Sequence, residues 1–78
     1  MSKALNLLEK VVSEILKREN ISLSIKMTAA DVEGWDSLNH VQILFTLEQE
    51  LGVQFAVYEI QNLKTIGDLV ELINKYEI

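Results

Sequence analysis

Residues 34–51 read GWDSLNHVQILFTLEQEL, and this stretch contains the helical pattern that decides the fold class of the chain. The spacing of its apolar residues predicts a helix from Ser37 to Leu51, which ends before Gly52, a residue type common just past helix C-termini. Asp36 is the predicted N-cap, because its carboxylate can accept hydrogen bonds from the free N–H groups of the first turn. The residues alone therefore favour Asp36 and Ser37 as a capping pair, although a helix N-terminus also suits a phosphate ester.

The predicted helix carries more apolar side chains than one buried face requires. With about 100° of rotation per residue, one stripe forms an ordinary core face and contains His40, Leu44, Leu47 and Leu51, with Ile43 at its edge. A second stripe, roughly 130° away by the same geometry, consists of Leu38, Val41 and Phe45, continued by Glu48 and flanked by Gln42 and Gln49. A small bundle buries one face of a helix, so the second stripe is predicted to be partly exposed and to bind a partner protein. The alternative is that the loops cover this stripe and the helix is central in the core.

Two further amphipathic helices are predicted, one on either side of the central helix. The first has Ser2 as a candidate cap and a predicted end near residues 18–20, and its apolar face contains Leu5, Leu8, Val12, Ile15 and Leu16. The last begins at Thr65 with Asp68 three residues on, as in a capping box, and its buried stripe contains Ile66, Leu69, Val70, Ile73 and Tyr76. A short helical turn is predicted over residues 57–62. These elements predict an all-α fold, a small four-helix bundle of three main helices and one short helix with a long first loop.

The long first loop, residues 21–35, has no sustained period. Its brief apolar alternation resembles a strand, but an isolated strand would have no partner, so an ordered loop is predicted instead. One short turn is expected over residues 28–32. Apolar loop residues are expected to pack on the core or at its edge, namely Met27, Val32, Trp35, Val53 and Phe55.

The composition limits both the architecture and the chemistry of the chain. Its 78 residues suit a single domain, 1–78, with one small core and no room for a deep enzyme cleft. The sequence contains no cysteine, which excludes disulfides, thiolate nucleophiles and cysteine-based zinc sites. The acidic residues lack metal-ligand spacing, and the only histidine, His40, has no orienting acid, so neither a metal site nor a catalytic pair is predicted. No apolar stretch is long enough to insert across a membrane.

The net charge of −5 is concentrated in the second part of the chain. Residues 1–30 hold five basic and three acidic residues, a net of +2, whereas residues 31–78 hold two lysines and nine acidic residues, a net of −7. This balance argues against nucleic acid as a partner, because phosphate binding needs the opposite sign. It favours basic protein surfaces, or else it serves only to keep the domain in solution.

The chain resembles the acyl carrier protein family, also called phosphopantetheine-binding carrier domains. Gly34-Trp35-Asp36-Ser37-Leu38 matches the family's Gly-x-Asp-Ser-Leu modification motif, and the resemblance continues through VQILFTLEQELGVQF and LKTIGDLVELI. It implies that Ser37 carries a 4′-phosphopantetheine arm, installed from coenzyme A by a phosphopantetheinyl transferase that reads Asp36 and Leu38. The terminal thiol of the arm would hold an acyl group as a thioester, and the carrier itself would not be an enzyme.

By the same resemblance, successive enzymes dock on the second stripe of the central helix. These partners would be an acyl-loading ligase or synthase and downstream acyl-using enzymes, and the implied contact residues are Leu38, Val41, Gln42, Phe45 and Glu48. Asn39, Gln42 and Gln49 stand where relatives are often acidic, so docking is expected to depend more on apolar contacts. Near the short helix, Ala56 replaces a frequent proline, and an often acidic turn is replaced by Val57, Tyr58 and Ile60.

Two other functions share parts of this pattern. An aminoacyl carrier of the peptidyl or D-alanyl type has the same serine and helices, and the motif does not distinguish between cargoes. An interaction module that is no longer modified would have no need of the Asp36-Ser37-Leu38 triplet. The expected protein is a free-standing cytoplasmic monomer that serves fatty acid, polyketide or secondary metabolite biosynthesis.

Overall fold

In the computed structural model, which describes residues 3–77, the chain folds into four α-helices joined by loops. Helix α1 spans Lys3–Leu16, α2 spans Ser37–Leu51, α3 spans Val57–Gln61 and α4 spans Ile66–Tyr76, and a short 3-10 turn at Ala29–Asp31 lies between α1 and α2. No strand occurs among residues 3–77, so the predicted all-α bundle with a long first loop is confirmed. No helix within this range has both the length and the apolar character needed to cross a membrane.

The helix boundaries follow the sequence signals, with one difference at the end of α1. Helix α2 has its predicted bounds, and Gly52 after it adopts a left-handed φ of 69°. Helix α1 ends at Leu16 rather than near residues 18–20, because Lys17 takes a left-handed φ of 56°. Such a residue cannot continue a right-handed helix. The predicted Ser2 cap lies outside the described residues.

The core is built from one face of each long helix, with α2 packed against both α1 and α4. Its most deeply enclosed side chains are Leu8, Val11, Val12, Ile43, Leu47, Ile66 and Ile73. The loops contribute as predicted, with Val32, Trp35 and Phe55 buried and with Met27 and Val53 packed at the edge. In α4, Tyr76 is only partly buried, whereas Leu72 joins the buried stripe. One continuous apolar cluster therefore holds all the segments together.

The first loop is bonded directly to the start of α4. The carbonyl of Met27 accepts the N–H of Ile66 at 2.7 Å, and the carbonyl of Ile25 accepts the N–H of Gly67 at 3.0 Å. The first N–H groups of a helix have no partners within that helix. The loop thus supplies the acceptors that complete the beginning of α4.

The predicted capping box at Thr65 and Asp68 also closes the start of α4. The Thr65 hydroxyl accepts the N–H of Asp68 at 3.1 Å, and the Asp68 carboxylate accepts the N–H of Thr65 at 3.0 Å. The same carboxylate accepts the N–H of Lys64 at 2.8 Å. Hydrogen bonds from Lys64 and Thr65 lower the pKa of Asp68, because they favour its ionised form. Asp68 is therefore structural, as the sequence indicated.

Glu59 in α3 is the only buried charged side chain among residues 3–77. Its carboxylate accepts hydrogen bonds from Lys75 Nζ, from the Tyr76 hydroxyl at 2.6 Å and from the N–H of Ala56 at 2.9 Å. These donors, with Lys75 the most effective, lower the pKa of Glu59 from 4.5 to about 2. The rings of Phe55 and Tyr76 also pack with their centroids 5.5 Å apart. Helix α3 is thus fastened to the end of α4.

Acid stability is expected to depend on Glu59. Its carboxyl pKa is about 2 in the folded chain against an ordinary value of 4.5, so its ionised form stabilises the fold at and above pH 4.5. That contribution is lost as the pH falls from about 4.5 towards 2. Urea unfolding followed by circular dichroism should show a smaller loss of unfolding free energy over this range in Glu59→Gln than in wild type. Glu71→Gln, an exposed change on α4, is the control, and identical pH dependences of all three proteins would contradict the assigned role.

Candidate functional site

Ser37 is the first residue of α2 and lies exposed at the N-terminus of that helix. Asp36 is the N-cap, as predicted, and its Oδ1 accepts the N–H of Asn39 at 2.8 Å. The carbonyl of Asp36 accepts the N–H of His40 at 2.8 Å and begins the helical hydrogen-bond series. Within residues 3–77 the Ser37 hydroxyl has no hydrogen-bond partner. Asp36 alone performs the capping, which leaves the hydroxyl of Ser37 available.

The backbone before Ser37 is held in one conformation by Gly34. This glycine has a φ of 91°, a conformation that L side chains rarely adopt. Its carbonyl accepts both the N–H of Asp36 at 3.1 Å and the side-chain amide of Asn39 at 2.8 Å. The loop is thereby linked to the first turn of α2. The available hydroxyl is presented on a fixed backbone, as precise positioning of a functional group requires.

Trp35 and His40 form a hydrogen-bonded pair beside this motif. Trp35 Nε1 donates to His40 Nδ1 at 3.0 Å, and the two ring centroids are 6.0 Å apart. Trp35 is buried, which agrees with its predicted packing role, and His40 is half-buried. Burial lowers the pKa of His40, and an accepting Nδ1 belongs to a neutral imidazole. His40 therefore supports Trp35, and among residues 3–77 no carboxylate is hydrogen-bonded to it as in a catalytic pair.

The two apolar stripes of α2 face different environments, as predicted. In the core stripe, Ile43 and Leu47 are 0% exposed and Leu44 is 6% exposed. The second stripe lies in solvent, with exposures of 67% for Leu38, 62% for Val41 and 57% for Phe45. The alternative in which the loops cover this stripe is therefore wrong. We call Leu38, Val41 and Phe45 the α2 apolar patch.

Glu48, which the sequence placed beside this patch, is also engaged in the fold. Its Oε2 accepts the N–H of Phe55 at 2.7 Å, and its side chain is half-buried. Because Phe55 is a buried core residue, the bond fastens the loop after α2 to the helix. Sequence reasoning missed this contact because a backbone N–H as partner leaves no residue-type signal. Gln42 and Gln49 are exposed on α2, where they flank the patch.

Helix α3 adds two large exposed apolar side chains. Val57 is 69% exposed and Tyr58 is 63% exposed, whereas Ile60 packs against the core. The sequence indicated that all three residues replace an often acidic turn, but it did not predict which of them would be buried. The bond between Glu59 and α4 fixes the orientation of this short helix. In this orientation Ile60 faces the core, whereas Val57 and Tyr58 face solvent.

The geometry at Ser37 suits covalent attachment of an anionic group. An exposed hydroxyl lies at the positive end of the α2 dipole, where the first N–H groups favour a negative charge. A nucleophilic serine in an enzyme needs an adjacent base that is itself oriented by a third group. No such base is hydrogen-bonded to Ser37 within residues 3–77. The arrangement can present a group attached to the hydroxyl of Ser37.

Comparisons with known proteins agree with this geometry. The family model described as "Phosphopantetheine attachment site" matches residues 6–73. The acyl carrier protein of Clostridium perfringens is 29% identical over 69 residues, which cover 88% of this chain and 91% of that protein. The solution NMR structure of holo acyl carrier protein from Geobacter metallireducens matches with a TM-score of 0.85 and 33% identity, covering 94% of this chain and 84% of that chain. A solved structure from Mycobacterium tuberculosis shares the fold at a TM-score of 0.81 and 23% identity, with 94% and 97% covered.

Proposed function

The chain belongs to the acyl carrier protein family, whose members hold 4′-phosphopantetheine covalently, and from this premise we propose that Ser37 carries the arm. The observation that supports this assignment is the exposed hydroxyl, without a partner in residues 3–77, at the start of α2. Asp36 and Leu38 on either side are proposed to be read by the phosphopantetheinyl transferase that takes the arm from coenzyme A. Leu38 is 67% exposed and therefore accessible to that enzyme.

The residues around Ser37 fit an arm linked through a phosphodiester. The serine oxygen can form the ester bond, and the free N–H groups of the first turn favour the phosphate charge. The carboxylate of Asp36 is hydrogen-bonded to the N–H of Asn39, which partly offsets its repulsion of a neighbouring phosphate. The bonds at Gly34 hold the loop in place, so attachment needs no rearrangement of the backbone.

The chain's own residues position the group and its partners. When bound, the arm supplies a terminal thiol that holds an acyl group as a thioester. The sequence has no cysteine and thus no thiol of its own for this chemistry. Proteins of this family are carriers rather than catalysts, and the work of this chain is to present Ser37 to successive enzymes.

Those enzymes are proposed to dock on the α2 apolar patch together with Gln42. They comprise the transferase, an acyl-loading ligase or synthase and the enzymes that consume the acyl group. The patch supports this proposal because its three side chains lie in solvent beside the attachment residue, and burying them in an interface is favourable. Glu48 lies at the border of the same surface, where the hydrogen bond from the N–H of Phe55 holds its side chain in place.

Intact mass spectrometry tests the proposal directly. The purified chain is incubated with a broad-specificity phosphopantetheinyl transferase, magnesium and coenzyme A, and its mass should increase by one arm, located on Ser37 by peptide mapping. With an acyl-coenzyme A as donor, hydroxylamine should release the acyl group from its thioester and leave the arm attached. If several transferases leave the wild-type chain unmodified, the proposed function is wrong.

A further inference from the structure

His40 lies three residues after Ser37 in α2, and we propose that its neutral imidazole is a positioning group for arm attachment, acting on Ser37 through Trp35. This inference rests on the proposed carrier function and adds a residue that sets the geometry of the acceptor serine. It also makes attachment sensitive to acid, because the contact with Trp35 needs a ring nitrogen without a proton.

Two hydrogen bonds to His40 enclose Ser37 in a short segment of chain. The ring Nδ1 accepts the indole N–H of Trp35 at 3.0 Å, and the backbone N–H of His40 donates to the carbonyl of Asp36 at 2.8 Å. Trp35 is also tied to the loop behind it, since its backbone N–H donates to the carbonyl of Val32 at 3.2 Å. The indole bond therefore links the loop to the first turn of α2 at the point where Ser37 begins the helix.

Trp35 and His40 line a small cavity of about 30 Å³ where the first loop meets the start of α4. The apolar side chains that complete its lining are Ala29, Leu63, Ile66 and Leu69. Burial in these surroundings lowers the pKa of His40 below its ordinary value of 6.5, because removal from water disfavours the charged imidazolium. At neutral pH the ring is therefore uncharged and can accept from Trp35.

The charged groups around His40 leave its ring without a counter-ion within residues 3–77. Lys64 lines the same cavity, and its ammonium group has the same charge as a protonated histidine. The carboxylates that flank the pair along the chain and across the cavity each accept a backbone N–H of their own segment, namely those of Asp31, Asp36 and Asp68. None of them is hydrogen-bonded to the ring of His40. Protonation would thus create a half-buried cation without a carboxylate partner.

Protonation of His40 breaks the contact with Trp35. An imidazolium carries hydrogen on both ring nitrogens, so Nδ1 becomes a donor that faces the indole donor. The loop then loses a link to α2, and Ser37 is held less precisely for the transferase. The same protonation weakens the fold, since the contribution of a histidine with a lowered pKa is complete above pH 6.5 and is lost as the pH falls through its folded-state pKa.

The pH dependence of arm transfer tests this inference. His40→Asn is the reference variant, because asparagine has an acceptor oxygen at the position of histidine Nδ1 and does not titrate. The kcat/KM of the transferase for the carrier is measured at saturating coenzyme A from about pH 8 to about pH 5. Dividing each wild-type value by that of His40→Asn removes the pH dependence of the transferase itself. We expect this ratio to fall by at least about threefold towards the acidic end.

His40→Leu and Trp35→Phe each remove one partner of the hydrogen bond and keep an apolar side chain. Each should lower kcat/KM at pH 8 by about threefold, and the double variant should lower it no further than either single one. His40→Asn should retain most of the wild-type value, and Glu71→Gln on α4 is the control that should follow wild type at every pH. Circular dichroism checks that helicity is unchanged, and if His40→Leu does not fold, Trp35→Phe and the pH ratio decide.

The fluorescence of Trp35, the only tryptophan of the sequence, gives a readout that is independent of activity. Its emission should change in one step with a midpoint below pH 6.5 in wild type and stay constant in His40→Asn. Constant emission in wild type, equal pH profiles of wild type and His40→Asn, or full transfer rates in folded His40→Leu and Trp35→Phe would overturn the inference, while a mass increase at neutral pH still supports the carrier function. A chain that no transferase modifies would overturn both.

Discussion

Replacement of Ser37 by Ala is expected to abolish attachment of the arm completely and to leave the fold intact. Alanine has no oxygen with which to form the ester. The lost hydroxyl is exposed and has no hydrogen-bond partner in residues 3–77, and Asp36 continues to cap α2. The free energy of unfolding should therefore change by less than about 0.5 kcal/mol. Intact mass spectrometry after incubation with transferase and coenzyme A, together with thermal unfolding, measures both effects.

Ser22→Ala provides a matched control for this experiment. Ser22 is also exposed, but it lies in the first loop and away from any helix start. The control should gain the full mass of one arm and unfold like wild type. A mass increase in the Ser37→Ala variant would place the arm on another residue. A large loss of stability in that variant would instead show that its hydroxyl, and not only Asp36, holds the start of α2.

Leu47→Ala is expected to have the largest effect on stability, and Phe45→Ala a small one, although the two residues are near neighbours on α2. Leu47 is 0% exposed, so its truncation leaves a cavity and should cost about 3 kcal/mol. For a domain of this size that is a large part of the total stability. Phe45 is 57% exposed, and its truncation should cost less than about 1 kcal/mol. Urea unfolding curves of the two variants provide the comparison.

Arm transfer should respond to the same two variants in the opposite order. Phe45→Ala should slow modification by the transferase, because the docking surface loses its largest side chain. Leu47→Ala should be modified at a normal rate under conditions in which it remains folded. If Phe45→Ala unfolds the domain, or if it is modified as fast as wild type, the assignment of the second stripe as a docking surface is wrong.

The sequence predicted the helices and the two faces of α2 because these features depend on local periodicity. Asp36 and Gly52 each act within one turn of α2, so their roles could be predicted from neighbouring residues alone. The exposure of Phe45 followed from a steric argument, since a chain of this length cannot enclose two faces of one helix. The chemical role proposed for Ser37, by contrast, depended on the family resemblance, because a helix cap and an attachment site share the same residue types at this position.

The contacts that the sequence did not predict join distant segments through single polar groups. The burial of Glu59 against Lys75 and Tyr76 depends on how α3 packs beside α4, which no spacing in the sequence encodes. The bond from Phe55 to Glu48 uses a backbone N–H, and every residue except proline has one. Such contacts follow from tertiary packing, so they could be found only once the helices had been placed.

The hydrogen bonds between the first loop and α4 couple the local unfolding of these two segments. The amide hydrogens of Ile66 and Gly67 are held by carbonyls of the loop, so deuterium can replace them only when helix and loop separate. The Cβ of any side chain at Gly67 would lie 3.0 Å from the carbonyl oxygen of Ile25, which shows how closely the loop packs against the start of α4. The same loop leads directly into the motif that contains Ser37. Exchange at two amides of the last helix thus reports the opening of the loop that leads to the proposed attachment site.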